Sequence, residues 1–195
     1  TLCDRQTVQT PPNVPDVVFA DIEQAVKDGQ GQSLTLPARR SGDDICFILF
    51  TSGSTGQPKG VMIRHQSIAN LYAVMRQKLP GENVGFLCTA NAIFDIFITE
   101  TLLTLAMGNY IVMADEDEMV LPWKCAQLIR KHHVQAVEFT PSRASLFMEN
   151  PDFVQALKDM PVMLMCGEVF PPALLEKIKG AGCRTIYNLY GPTEV

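Results

Sequence analysis

The apolar residues of this chain alternate, from residue 43 onward, between short continuous runs and regularly spaced patterns. Residues 45–50 form an unbroken apolar run of strand length, whereas the apolar residues of 68–75 recur at the spacing of one helix face. Further strands are expected at 85–89, 110–114, 136–140, 162–166 and 185–189, and helices at 98–107, after Pro122, at 142–149 and at 172–179. Strands separated by helices predict an α/β fold with a mostly parallel sheet flanked by helices.

The first forty residues carry a weaker pattern. Residues 1–42 hold Pro11, Pro12 and Pro15 and a stretch rich in Gly, Gln and Ser, which is typical of a lead-in segment. We therefore expect residues 43–195 to form the folded core.

Composition excludes several classes of function. The net charge is −5 and no basic stripe is interleaved with aromatic residues, so nucleic acid is not an expected partner. No apolar run approaches the length needed to span a membrane, and none follows a basic start as in a signal peptide. The six cysteines are scattered without a C-x-x-C pair, which favours a reducing, cytoplasmic location and argues against a zinc site.

A loop rich in hydroxyls and glycines follows the first strong strand. Its glycines allow successive backbone N–H groups to point at an anion, while hydroxyls and one lysine add donors and positive charge. The spacing differs from a Walker loop, since the lysine follows Pro58 and precedes Gly60. The expected polyphosphate ligands are Thr51, Ser52, Gly53, Ser54, Thr55, Gly56 and Lys59. A helix is expected to start near Ser67, behind this loop. An ordinary polar loop is the alternative to the phosphate-binding interpretation.

A second motif closes the chain and reads Asn188, Leu189, Tyr190, Gly191, Pro192, Thr193, Glu194. Both motifs, and Gly167-Glu168, follow expected strands, so we expect all three to share one edge of the sheet. Together the two motifs resemble the adenylate-forming superfamily, above all the adenylation domains of nonribosomal peptide synthetases. The chain is also similar to D-alanine–carrier protein ligases. This resemblance implies part of the large N-terminal subdomain of such an enzyme.

The resemblance implies a role for each nucleotide-site residue. Lys59 and the loop would hold the β- and γ-phosphates, Thr193 would contact the α-phosphate, and Glu194 with Thr55 would ligate Mg²⁺. Lys59, Thr193 and Glu194 would thus be the catalytic residues. The remaining nucleotide contacts implied are Gly167, Glu168, Asn188, Tyr190 and Gly191.

The resemblance also implies an amino-acid site. Asp95 would pair with the α-ammonium of the substrate, although a helix N-cap is an ordinary alternative for an aspartate at that place. The substrate pocket implied comprises Asp95, Ile96, Thr99, Glu138, Leu164, Cys166 and Leu189. A carboxylate at Glu138 would favour a cationic substrate side chain. A glutamate on an edge strand, facing solvent, remains the alternative for Glu138.

The function implied is ATP-dependent activation of an amino acid as aminoacyl-AMP, followed by transfer to the phosphopantetheine thiol of a peptidyl carrier protein. Because the chain ends one residue after Glu194, the resemblance implies a fragment of a larger synthetase, truncated at both ends and weak or inactive alone. A D-alanine–carrier protein ligase and a non-catalytic nucleotide-binding module are the alternatives.

Overall fold

The structure is a computed structural model that describes residues 2–3, 20–21, 27–29, 41–51, 57–79 and 81–194. The chain divides into two compact units, residues 1–39 and residues 40–195. In the first unit β1 (Leu2–Cys3) pairs in parallel with β2 (Ala20–Asp21). Within the described residues, none of the helices has the length and apolar character required to cross a bilayer.

A five-stranded parallel sheet forms the centre of the second unit, as the alternating pattern predicts. Its strands are β5 (Gly85–Cys88), β6 (Tyr110–Met113), β7 (Val134–Phe139), β8 (Val162–Met165) and β9 (Thr185–Asn188). Their order across the sheet is β6-β5-β7-β8-β9, so β5 lies between β6 and β7. Short apolar strands with both faces covered are typical of parallel sheets.

Most helices cover one face of this sheet. They are α3 (Glu116–Val120), α4 (Pro122–Lys131), α5 (Pro141–Phe147), α6 (Pro151–Ala156) and α7 (Pro172–Gly180), with a 3₁₀ turn, Leu157–Asp159, after α6. The larger apolar core lies on this side and includes Phe139, Phe147 and Phe153, whose rings pack pairwise with centroids 5.1–5.9 Å apart. These contacts hold α5 and α6 against β7.

The opposite face carries a smaller apolar core around Phe86, Ala136 and Leu164. The helix α1 (His65–Lys78) contributes Met75 to this core. The segment 96–106, here α2, connects β5 to β6. It consists of Ile96–Ile98, a π-helical stretch Thr99–Leu103 and Thr104–Ala106.

One element differs from the sequence prediction. The run Ile45–Thr51 does form a strand, β3, but it pairs antiparallel with β4 (Lys59–Arg64) in a separate two-stranded hairpin. The expectation that β3 belongs to the parallel sheet was therefore wrong. Lys59 lies on a strand rather than in the loop, and the following helix begins at His65.

Candidate functional site

The strand order creates a crevice at the carboxyl ends of β5 and β7. The chain passes from β5 to β6 on one side and then returns to place β7 on the other side of β5. Ligands of open α/β sheets bind at such a switch point, because connections leave it in opposite directions. The segments that follow these strands, Thr89–Asn91 and Thr140, line a cavity there of about 290 Å³.

The end of the β3–β4 hairpin at which the two strands are connected meets the C-terminal motif. Thr51 Oγ1 donates to Glu194 Oε1 at 3.3 Å, across 143 positions of sequence. Lys59 is exposed and lies opposite Thr51 in the hairpin register. Lys59 and Glu194 therefore share one side of the molecule. The remaining residues of the expected phosphate loop, Ser52, Gly53, Ser54, Thr55 and Gly56, lie outside the described residues.

A second long-range hydrogen bond joins the C-terminal motif to α2. Thr193 Oγ1 donates to Asp95 Oδ2 at 2.9 Å, across 98 positions. The other carboxylate oxygen of Asp95 accepts from the backbone N–H of Ile96 at 2.9 Å, so Asp95 is also the N-cap of α2. The capping geometry leaves one oxygen of Asp95 directed at Thr193.

The residues after β9 present their polar groups at the same edge. Asn188 lies opposite Met165 in the β8–β9 register, and the N–H of Leu189 donates to the Met165 carbonyl at 2.7 Å. Tyr190 is 97% exposed, so both faces of its ring are available for stacking. Gly191 is exposed beside it.

The turn after β8 is fixed by Gly167 and Glu168. Gly167 has φ +78, a left-handed conformation that favours glycine. The carboxylate of Glu168 accepts from the hydroxyl of Ser142 and from its N–H at 3.0 Å. These bonds, the hydroxyl bond first, lower the pKa of Glu168 below its ordinary value. The turn is thereby joined to the start of α5.

Glu138 lines the cavity from β7. Because β7 lies between β5 and β8, the edge-strand interpretation of Glu138 was wrong. Its side chain is buried, with 4% of its surface exposed. Of the other expected pocket residues, Ile96 lines the cavity, Thr99, Leu164 and Cys166 are buried, and Leu189 packs on the smaller core.

Burial controls the charge of Glu138. Loss of water raises its pKa from 4.5 to about 8, a hydrogen bond from the Cys166 thiol lowers it, and the nearby charges of Glu100 and Asp95 raise it. Burial likewise raises the pKa of Cys166 above its ordinary value. A neutral thiol and a largely protonated carboxyl therefore face each other near pH 7.

Glu100 is a site residue that the sequence analysis missed. It is fully buried in the π-helical stretch of α2, and its Oε2 accepts from the backbone N–H groups of Thr89 at 2.9 Å and Ala90 at 2.7 Å. Burial raises its pKa from 4.5 to about 6, against the lowering effect of these hydrogen bonds. The available signal was a second carboxylate inside the apolar run that contains Asp95.

Arg143 was missed as well. Its guanidinium lies over the rings of Phe139 and Phe147, at 5.0 and 5.4 Å from the centroids, and it lines the same cavity. It donates to the carbonyl of Met119 and, at 3.5 Å, to that of Thr89. Arg143 thus ties α5 to the segment that follows β5.

Comparison with known proteins agrees with this arrangement. The family model described as "AMP-binding enzyme" matches residues 4–195. Tyrocidine synthase 3 of Brevibacillus parabrevis is 33% identical over 88% of this chain, and D-alanine--D-alanyl carrier protein ligase of Bacillus licheniformis is 28% identical over 92%. The chain spans 3% of the length of the first relative and 36% of the second.

A solved structure shows the same fold. The N-terminal subdomain of Klebsiella oxytoca NpsA, in complex with 3-hydroxybenzoyl-AMSN, superposes with a TM-score of 0.75 at 28% identity, over 92% of this chain and 46% of that one. The fold is thus part of the N-terminal subdomain of an adenylate-forming enzyme, and the chain belongs to the AMP-binding enzyme family.

Proposed function

We propose that this chain activates an amino acid as aminoacyl-AMP, within an enzyme that then loads it onto a carrier protein. In the first step a carboxylate oxygen of the amino acid attacks the α-phosphorus of ATP. The bond from that phosphorus to the bridging oxygen breaks, and pyrophosphate leaves. In the second step the phosphopantetheine thiol of the carrier attacks the acyl carbon, forming a thioester and releasing AMP.

The observation that carries the proposal is that the C-terminal motif contacts both Thr51, at the start of the phosphate loop, and Asp95. The bonds Thr51–Glu194 and Thr193–Asp95 bring the start of the phosphate loop, the C-terminal motif and the expected amino-acid ligand together. Residues that would bind phosphate and residues that would bind an amino acid are therefore direct neighbours. A reaction between a carboxylate and an α-phosphate requires such proximity.

The nucleotide roles follow from chemistry and position. Lys59 would neutralise the departing β- and γ-phosphates, and the hydroxyl of Thr193 would donate to the α-phosphate. The carboxylate of Glu194 beside the hydroxyl of Thr51 offers the hard oxygen atoms that suit Mg²⁺. When bound, Mg²⁺ would offset the negative charge of the phosphates. Thr55 would complete this set, and Tyr190 would stack on the adenine.

The amino-acid roles centre on Asp95. Its Oδ2 would exchange the hydroxyl of Thr193 for the α-ammonium of the substrate. The side chain would enter the cavity lined by Ile96 and Glu138, where a carboxylate favours a cationic group. The partners proposed are thus an amino acid and a peptidyl carrier protein, in the cytoplasm.

Amino-acid-dependent exchange of pyrophosphate into ATP tests the proposal. The full-length natural protein would be assayed with a panel of amino acids, and at least one of them should support exchange. Glu194→Gln should lower the rate by about a hundredfold, because the variant loses the carboxylate proposed to hold Mg²⁺ against the phosphates. Glu176→Gln, an exposed glutamate on α7, is the matched control. ATP binding without exchange by any amino acid would identify a nucleotide-binding module instead.

A D-alanine–carrier protein ligase is the second candidate, favoured by the 28% identity to the Bacillus licheniformis enzyme and by Cys166 before Gly167-Glu168. The same panel separates the two. A strong preference for D-alanine over longer amino acids would support the ligase.

A further inference from the structure

We propose that Glu100 is a positioning residue for the amino acid, because its buried carboxylate holds the segment Thr89–Asn91 in the conformation that directs Asp95 at the α-ammonium. The proposal rests on the proposed function, in which Asp95 binds that ammonium. It adds a residue that does not itself touch the substrate. The preference for an amino acid over the matching carboxylic acid without the amine then depends on Glu100.

The burial pattern of α2 is the reverse of that expected for an amphipathic helix. Glu100 and Thr104 are fully buried, whereas Leu102 and Leu105 are more than half exposed. A surface helix ordinarily buries its leucines and exposes its glutamates, because a buried charge costs free energy unless it has partners. Positions at which a sequence breaks such a local rule are expected at functional sites. The partners of Glu100 therefore indicate what its burial achieves.

These partners lie in the segment that follows β5. Glu100 Oε2 accepts from the N–H of Thr89 at 2.9 Å and from the N–H of Ala90 at 2.7 Å. Two consecutive N–H groups that converge on one oxygen fix the orientation of the peptide between them. Burial raises the pKa of Glu100 to about 6, so at pH 8 the carboxylate is charged and both hydrogen bonds are of the strong, charge-assisted kind.

The segment held by Glu100 leads directly to Asp95. The Oδ1 of Asn91 accepts from the N–H of Ile93 at 3.1 Å, and the carbonyl of Asn91 accepts from the N–H of Phe94 at 3.0 Å. Asp95 then caps α2, the helix that carries Glu100. The chain from the end of β5 to Glu100 is therefore a closed loop, and Asp95 lies within it. Release of the closing bonds would free the Asp95 carboxylate to move.

A positive group contacts the same segment from α5. The guanidinium of Arg143 donates to the carbonyl of Thr89 at 3.5 Å and to the carbonyl of Met119. Its charge attracts the Glu100 carboxylate and acts against the burial that raises the pKa of Glu100. The bond from Arg143 to Thr89 is long, whereas both bonds of Glu100 are short. Glu100 is thus the stronger of the two constraints on this segment.

Glu100 lies in a π-helical stretch, Thr99–Leu103, that a buried hydroxyl helps to hold. Thr104 Oγ1 donates to the carbonyl of Thr99, five residues earlier, at 2.9 Å. Five residues is the spacing of a π turn, and single π turns within α-helices recur at functional sites. The Thr104 hydroxyl therefore supports the turn that carries Glu100 and gives a second position at which the proposal can be tested.

Isothermal titration calorimetry on the full-length natural protein at pH 8 tests the proposal. Two ligands are compared: the amino acid of the panel that binds most tightly, and the carboxylic acid with the same side chain but hydrogen in place of the α-amino group. Glu100→Gln keeps an acceptor for both N–H groups and removes the charge. It should weaken the amino acid about tenfold, the value of one charge-assisted hydrogen bond, and leave the affinity for the carboxylic acid unchanged. Glu176→Gln should change neither affinity.

A double variant shows whether Glu100 acts through Asp95. Asp95→Asn alone should weaken the amino acid, and addition of Glu100→Gln should cause little further loss, because the charged partner of the ammonium is already gone. General damage to the structure by Glu100→Gln would instead add in full. If Glu100→Gln does not fold, Thr104→Val, which removes one hydroxyl, should cause a severalfold loss of the same preference.

The outcomes separate this inference from the proposed function. An unchanged affinity for the amino acid, equal weakening of both ligands, or additive losses in the double variant overturns the positioning role, while pyrophosphate exchange by the unmodified protein leaves the proposed adenylation standing. A selective, non-additive loss in a protein that exchanges no pyrophosphate supports the positioning role and counts against adenylation. Failure of every amino acid to bind overturns both.

Discussion

At the scale of single residues, Glu138 shows how a position in the sheet changes the chemistry of a side chain. A glutamate on an exposed strand is charged at neutral pH. On β7, between two other strands and under α2, burial raises the pKa of the same residue to about 8. The free energy of unfolding must then depend on pH, because the folded chain binds a proton that the unfolded chain releases.

We predict that the free energy of unfolding of the unmodified chain falls as pH rises, and that Glu138→Gln removes this fall. With its folded pKa above its unfolded value of 4.5, Glu138 should destabilise the fold as pH rises from about 4.5 to about 8. Glu100 adds to this trend up to about pH 6. At pH 8 the variant should be more stable by a few kcal/mol, since each pKa unit corresponds to about 1.4 kcal/mol.

Urea unfolding at a series of pH values measures this effect. The exposed glutamate variant Glu176→Gln should follow the unmodified chain throughout. The burial argument would be contradicted if the free energy of unfolding of the unmodified chain stayed constant or rose between pH 5 and 8.

Lys59 gives a second prediction at this scale. Because it lies beside Thr51 and on the side of Glu194, Lys59→Gln should slow pyrophosphate exchange by on the order of a hundredfold through loss of phosphate neutralisation. Lys131→Gln, at the end of α4 on the other part of the sheet, is the matched control. Equal rates for the two variants would remove Lys59 from the phosphate site.

At the scale of elements, caps explain why the helices of the larger core begin where they do. Asn150 Oδ1 accepts from the N–H groups of Asp152 and Phe153, at 3.0 and 3.1 Å, with Pro151 at the first helical position. We predict that Asn150→Ala lowers the free energy of unfolding by about 1 kcal/mol. Asn150→Ser should retain most of the stability in thermal or urea unfolding, and equal losses would show that the cap is unimportant.

The elements that the sequence predicted share strong local patterns. The five parallel strands were identified to within two residues, because each is a short apolar run bounded by turn residues. The strand β4 was missed because its alternation of exposed and half-buried residues is not visible in the sequence. Met62 is apolar yet exposed, and it lies between the half-buried residues Val61 and Ile63. The π-helical stretch was missed because one extra residue in a turn leaves no pattern in sequence.

At the scale of the whole molecule, the candidate site depends on contacts that local patterns do not determine. The sequence predicted that three motifs share one edge of the parallel sheet. Gly167-Glu168 and the C-terminal motif do follow neighbouring strands of that sheet, whereas Thr51, at the start of the phosphate loop, contacts Glu194 from a hairpin outside it. The pairing of Glu100 with the segment after β5, and the cavity it closes, arise from how α2 packs. Residue types and strand ends could be predicted from sequence, whereas these packed neighbours could not.

The last prediction concerns the coupling between binding of the amino acid and binding of ATP. Without ligands, Thr193 donates to Asp95, and Thr51 donates to Glu194. Under the proposed function, Asp95 exchanges Thr193 for the substrate ammonium, which frees the Thr193 hydroxyl for the α-phosphate. Amino acid and ATP should therefore each increase the affinity for the other. The increase should be about tenfold, the value of one hydrogen bond to a charged group, and equal in both directions.

Thr193→Val tests this coupling, because it removes the hydroxyl and preserves the shape. The variant should bind the amino acid alone at least as tightly as the unmodified chain, since Asp95 no longer has to release a partner. The gain on adding ATP should disappear. Thr185→Val, at the opposite end of β9, should leave the coupling intact. Calorimetric titrations in both orders of addition measure it, and an undiminished coupling in Thr193→Val would show that the Asp95–Thr193 bond does not link the two ligands.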